Sequence, residues 1–166
     1  MSLRSNGTFE TEVLLCWILT AAMVLSGLSL AQSTGKRDSG SAREKLIGAW
    51  RLVSLEEPGQ DGRLNHITNR KGILIYTRDG HMSVQLMLPE SESGVSNDYV
   101  KNGYEASFGS YDVDEKAHTV THHVEGSVTR GLVGKDLPRA FQYSAGHLLI
   151  RSTRPDEHWS VTWERY

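Results

Sequence analysis

From Gly48 onward, short apolar runs alternate with turn residues, and the intervals between them are too short to hold a crossover helix. The pattern predicts strands at Gly48–Glu57, Gly72–Thr77, His81–Leu88, Ser107–Asp112, Thr119–Val128, Arg139–Ser144, His147–Ser152 and Trp159–Tyr166, with a short one at Leu64–Ile67. Pro58-Gly59, Asp61-Gly62, Asp79-Gly80 and Ala145-Gly146 mark turns, and Asp79-Gly80 is a hairpin signal. Glu90–Ala106 is polar, poor in β-branched residues and weakly helical, which suits a short helix or an irregular lid. A meander of about eight to ten strands joined by tight turns is antiparallel, and it loses both exposed edges by closing on itself. The expected fold is therefore an all-β, up-and-down closed barrel, whose interior at this strand number admits one small ligand.

The last strand shows how closure would work. Trp159, Val161, Trp163 and Arg165 share one face by strand parity, and that face reads as inward. Closure would bring this strand beside the first, where Gly48 precedes Trp50. Arg165 would then lie over the Trp50 indole as a plug, or else remain a solvated charge near the C-terminus; spacing alone leaves both open.

The first 31 residues differ from the rest. Val13–Leu30 carries no charge and Ser29-Leu30-Ala31 is a small-x-small pattern, so residues 1–31 read as a signal peptide, with an uncleaved membrane anchor as the rival. Either reading places the domain outside the cytoplasm, secreted or periplasmic. Residues 32–45, rich in Ser, Gly and charge, read as a flexible linker, and 46–166 as the barrel domain. The single cysteine, Cys16, lies in the apolar segment, which leaves the domain without a disulfide, a thiolate nucleophile or a cysteine zinc site.

With 18 Lys+Arg against 20 Asp+Glu and no basic run, the chain lacks the clustered cations that nucleic acid or a polybasic membrane surface requires. Membrane contact is expected only through the N-terminal segment, if that segment is retained. Oligomeric state is not legible.

Four segments carry a resemblance: Gly72-Ile-Leu-Ile-Tyr-Thr-Arg-Asp-Gly-His-Met-Ser-Val-Gln, Phe108-Gly-Ser-Tyr-Asp-Val-Asp, Thr119-Val-Thr-His-His-Val-Glu-Gly-Ser and Thr162-Trp-Glu-Arg. With the Gly-x-Trp opening at Gly48-Ala-Trp50, they resemble the lipocalin-like domain family of bacterial and fungal proteins, from about Leu46 to Arg165. The resemblance implies a calycin-type barrel with a central cavity. It implies function less well: some related barrels bind ligands, and others serve as cyclases or isomerases in natural-product pathways.

Candidate chemistry is sparse. His122 and His123 are adjacent on a strand and so face opposite ways; His122 shares its face with Val120 and Val124 and is expected to look inward. It reads either as a polar anchor or acid/base group, or as a satisfied buried histidine. Tyr76, Gln85 and Tyr111 are the other polar groups set among apolar strand residues, and the pattern does not decide which way Tyr76 points. His118 and His122 would be about 13 Å apart along a strand, too far to share an ion, so no metal site and no cofactor are expected. Glu125 and Asp112 read as surface charges rather than a catalytic pair. Arg139 stands either at the cavity rim, where it would attract a carboxylate, or in solvent.

These residues predict a binding protein for a small hydrophobic molecule such as a lipid, acyl chain or polyketide-like metabolite. The expected ligand-binding set is Trp50, Tyr76, Met82, Val84, Gln85, Phe108, Tyr111, His122, Val124 and Trp163, with Gly48, Trp50 and Arg165 closing the barrel. The alternative is a cyclase or isomerase of secondary metabolism with His122 and Tyr111 or Tyr76 as acid–base groups.

Overall fold

The computed structural model describes residues 40–166. The described chain opens with a five-residue helix, α1 (Ala42–Leu46), N-capped by the Ser41 hydroxyl, which accepts from the Glu44 amide at 3.2 Å. Nine strands follow: β1 (Gly48–Pro58), β2 (Leu64–Ile67), β3 (Lys71–Tyr76), β4 (His81–Met87), β5 (Tyr104–Asp114), β6 (Thr119–Ser127), β7 (Asp136–Ser144), β8 (His147–Ser152) and β9 (Ser160–Arg165). Each strand from β3 to β9 pairs antiparallel with its sequence neighbour, and β9 returns to β1, closing a barrel of eight strands. The ninth, β2, is an extra. It pairs with the far half of β1 (Leu55–Pro58), whereas β3 pairs with the near half (Gly48–Arg51).

Three expected boundaries move. The segment expected to be linker up to residue 45 holds α1, because Ser41 caps it and Leu46, 1% exposed, anchors it in the core. The lid expected to run to Ala106 is a single 3₁₀ turn at Glu90–Glu92 within irregular chain; strand begins at Tyr104, where Met87 pairs with it. β7 begins three residues early and includes Pro138. That proline lies beyond the last β7–β8 pair, Arg139 with Ser152, where one edge carries no ladder. The signal peptide or anchor, and linker residues 32–39, lie outside the described residues.

Alternation produces the core. β4 buries Met82, Val84 and Leu86 and exposes His81, Gln85 and Met87. In β1 the alternation breaks: Trp50 and Leu52 face in, then the register against β9 slips between Leu52 and Ser54, and Leu55 takes over the inward face. A bulge of this kind reverses the parity of everything after it.

One end of the barrel is plugged. Trp50 is fully buried and pairs across the seam with Arg165. The Arg165 guanidinium lies 4.3 Å from the centre of the indole and donates to the carbonyls of Ile47 and Lys45 at 2.8 and 2.7 Å. The indole N–H donates to the Leu46 carbonyl at 2.7 Å, so the free carbonyls at the end of α1 are taken up by the plug. Gly48 sits here with φ +138°, and a Cβ would lie 2.5 Å from Arg165 Nη1. Both the backbone conformation and the packing require glycine. Around the plug, Tyr143 meets Trp50 edge-on at 6.1 Å, with Phe141, Leu148 and Val120 buried in the same cluster.

Arg165→Ala should lower the unfolding free energy by roughly 1–3 kcal/mol, the scale of one cation–π contact plus hydrogen bonds from a charged donor. Arg165→Lys should recover only part of this, since an ammonium lacks the planar fork that spans two carbonyls. Urea midpoints at constant m-value measure both; an unshifted midpoint in Arg165→Ala would show that closure does not rely on this contact.

Candidate functional site

Above the plug the barrel is hollow. A cavity of about 420 Å³ lies toward the opposite end, its apolar wall including Leu55, Leu74, Val84, Leu86, Ile150 and Val161. Each is an inward position on its strand, so the wall is a direct product of strand parity. Polar groups line it as well: His122 and Trp163, Glu57 from β1, Glu105 and Ser107 from β5, Arg139 from β7, and Arg70, Asn97, Tyr99, Asp156, Glu157, His158 and Trp159 from connecting segments.

His122 is buried and its Nε2 lies 2.6 Å from the hydroxyl of fully buried Tyr76. Burial, then the field of Arg139 and then that of His123, push the imidazole down to about 3. Burial raises the Tyr76 phenol, with Tyr111 adding to it and Arg139 opposing. Both groups are neutral at physiological pH, held in a single hydrogen bond. Tyr111 packs edge-on against Tyr76 at 4.8 Å and donates its hydroxyl to the Thr77 carbonyl at 2.9 Å.

His123 faces out. It bridges neighbouring strands, with Nδ1 2.6 Å from Asp136 on β7 and Nε2 3.1 Å from Asp112 on β5. These contacts, that to Asp136 foremost, raise its pKa. Glu125 is exposed, as is Asp112, and Asp112 is thereby a partner of His123 rather than of Glu125.

Glu105 is half-buried and lines the cavity. Desolvation raises it to about 7 against the lowering pull of Arg139 and Arg70. Arg70 sits in the break between β2 and β3, where it pairs with Glu57 at 2.9 Å and Glu92 at 3.1 Å. It thereby ties the 3₁₀ turn to the barrel mouth. Arg139, 5% exposed, stacks over Trp159 at 4.8 Å and Tyr99 at 5.4 Å.

Of the residues expected to touch ligand, Val84, His122 and Trp163 stand on the cavity wall. Tyr76 lies inward, touching the cavity only through His122. Trp50 and Met82 belong to the packed core with Tyr111. Val124 is buried and exchanges backbone hydrogen bonds with Gly134 and Lys135. Two expectations are corrected. Gln85 and Phe108 point out of the barrel: Gln85 is exposed, and Phe108, 57% exposed, covers Gly126, where a Cβ would come within 2.4 Å of its ring. Gln85 neighbours Val84, and Phe108 is three residues from Tyr111, so in a regular strand neither can share its partner's inward face.

Sequence reasoning passed over Glu105, Arg70, Tyr99 and Trp159 as site residues. Glu105 had a signal, since Glu105, Ser107, Gly109 and Tyr111 alternate along β5; taking the segment before Ser107 as lid hid it. Arg139 also alternates, with Leu137 and Phe141. Among the described residues, no three His, Cys, Asp or Glu side chains gather as metal ligands.

A closed antiparallel barrel with a plugged end and an internal cavity is the lipocalin architecture. The sequence profile of the lipocalin-like domain matches residues 47–166, and the chain belongs to that family. Similar solved structures include a lipocalin-like protein from Bacteroides uniformis at 12% identity, covering 73% of this chain and 98% of that one with a TM-score of 0.43. An uncharacterized protein from Bacteroides eggerthii is also 12% identical, with 73% and 99% coverage and a TM-score of 0.44. A mutant of the fluorescent protein UnaG is 11% identical, with 74% and 96% coverage and a TM-score of 0.39. No curated protein matches the sequence.

The two buried titrating groups tilt stability in opposite directions with pH. For His122 the folded value of about 3 lies below the 6.5 of an unperturbed histidine, so the unfolded chain protonates first and stability falls as pH drops from about 6.5 toward 3. For Glu105 the folded value of about 7 lies above the ordinary 4.5, so its stabilising share is full below 4.5 and lost as pH rises through 7. His122→Gln should therefore flatten the acid limb of stability against pH, and Glu105→Gln should flatten the descent toward neutral pH. Urea midpoints across the pH range check both; limbs as steep as in the native chain would contradict the placement of these groups.

Proposed function

We propose that the barrel binds a small, largely apolar molecule, such as a lipid, acyl chain or polyketide-like metabolite, in its internal cavity. The observation that carries this reading is a walled space of about 420 Å³ above a plugged floor, lined by aliphatic side chains from β1, β3, β4, β8 and β9. Its volume falls within the range of small-molecule sites. A barrel of this strand number can instead fill its interior with its own side chains, as this one does around Trp50. Burial of apolar ligand surface would drive affinity at roughly 25 cal/mol per Å². We place the domain in the periplasm or outside the cell, on the strength of the uncharged Val13–Leu30 segment and the small-x-small pattern ending at Ala31.

Binding is favoured over the cyclase or isomerase reading by the state of the groups that reading uses. An imidazole at about 3 is a weak base at neutral pH, and the Tyr111 hydroxyl is already engaged by the Thr77 carbonyl.

The neutral dye N-phenyl-1-naphthylamine, which fluoresces in apolar surroundings, should bind saturably at one site per chain and be displaced by compounds of this class. Val84→Trp places an indole in the cavity and should weaken dye binding roughly tenfold or more with unchanged far-UV circular dichroism. Absence of saturable binding by the dye and by a lipid and metabolite panel would overturn the reading.

A further inference from the structure

We propose that the cavity's ligand carries a carboxylate, and that Arg139 is the residue that holds it. The proposal rests on the reading of the cavity as a ligand site and names the ligand's polar end.

Arg139 is a buried cation without an anion. It projects from β7 onto the cavity wall. It donates to the carbonyl of Pro138, its own neighbour, at 3.2 Å, and toward the Tyr99 hydroxyl. No carboxylate among the described residues comes within ion-pair distance of it. A charge taken out of water at this depth is costly unless it is paired. The aromatic faces of Trp159 and Tyr99 offset part of that cost and also fix the guanidinium in place, so little of its side-chain freedom remains to be lost on binding.

The other arginine at the cavity is different. Arg70 is neutralised by Glu57 and Glu92, which makes it a strut of the mouth. Glu57, Asp156 and Glu157 also line the cavity, but Arg70 and Arg154 pair with them, which leaves Arg139 as the lining arginine outside these ion pairs.

The unpartnered polar atoms nearby have the same sense. The Trp163 indole N–H and the Nε–H of Arg70 are both buried without a hydrogen-bond partner, and both residues line the same cavity. These are donors, and native proteins seldom leave such atoms unpaired. A carboxylate is acceptor-only and matches the guanidinium fork in a bidentate pair. The protein's own candidate for that role is Glu105, which lies in the same cavity beyond ion-pair distance. Desolvation holds it close to half-protonated at neutral pH, so it leaves Arg139 incompletely compensated. The aliphatic wall then accommodates the remainder of the molecule. The ligand class is an apolar body ending in a carboxylate.

The test compares two probes of equal chain length, dodecanoate and dodecan-1-ol, as displacers of N-phenyl-1-naphthylamine. In the native chain dodecanoate should displace the dye at a concentration roughly tenfold to a hundredfold lower than the alcohol. In Arg139→Met that preference should fall to about one, with unchanged far-UV circular dichroism and urea midpoint as the control for an intact barrel. Arg139→Lys should keep part of it. Equal displacement by acid and alcohol in the native chain overturns the carboxylate proposal while leaving the cavity reading standing. A preference that survives in Arg139→Met removes Arg139 as the anchor. If the dye and both probes fail to bind, the cavity reading fails and the proposal with it.

Discussion

The seam between β1 and β9 is the constraint on which the rest of the structure depends. Until the last strand meets the first, no residue has an inside to face. The contact that fixes the seam is local and mixed in character. Arg165 covers the Trp50 indole and satisfies carbonyls at the end of α1, and Trp50 satisfies another. Closing the sheet, sealing one end and capping a short helix are thus done by the same few atoms. With the seam formed, β1 and β9 no longer present open edges and inward alternation becomes a core.

The plug also divides the interior into two regions of different character. Around Trp50, large side chains fill the space, with Tyr143 edge-on to the indole and Leu148 and Val120 completely buried. Beyond the Tyr76–His122 pair the inward side chains are smaller and mostly aliphatic, and their volumes do not meet across the barrel. The pair works as a floor: a polar bond between two neutral groups, each held in that state by burial. Charge is kept to the other side of it, where Arg139, Arg70 and Glu105 act on one another. The field of Arg139 reaches both regions, since it lowers Glu105 and His122 alike.

The mouth is organised by ion pairs. Arg70 occupies the gap where β2 gives way to β3, and joins Glu57 of β1 to Glu92 of the 3₁₀ turn. Glu157 accepts from Ser152, Tyr99 and Trp159, drawing the segment before β9 against the loop that carries Tyr99. These two clusters hold irregular chain over the open end, and Tyr99 and Trp159 thereby become the aromatic faces against which Arg139 rests.

The barrel itself was legible in the residues. Turn signals at Pro58-Gly59, Asp79-Gly80 and Ala145-Gly146, with apolar runs between, define a meander. Parity put His122 and His123 on opposite faces, and the valines sharing a face with His122 suggested that it was the inward one. Part of what escaped was decided by tertiary structure. The slip in β1 moved the inward face from Leu52 to Leu55, and a bulge is invisible to a period-two reading. Gln85 and Phe108 were counted with residues of the opposite face. Glu105, Arg70 and Arg139 became a site only because closure brought β5, β7 and the β2–β3 break around one space. In a regular strand a sequence determines which residues share a side. Which residues from distant strands then face each other, and how far burial moves their proton affinities, depends on register and stagger around the closed barrel, and these are properties of the assembled sheet alone.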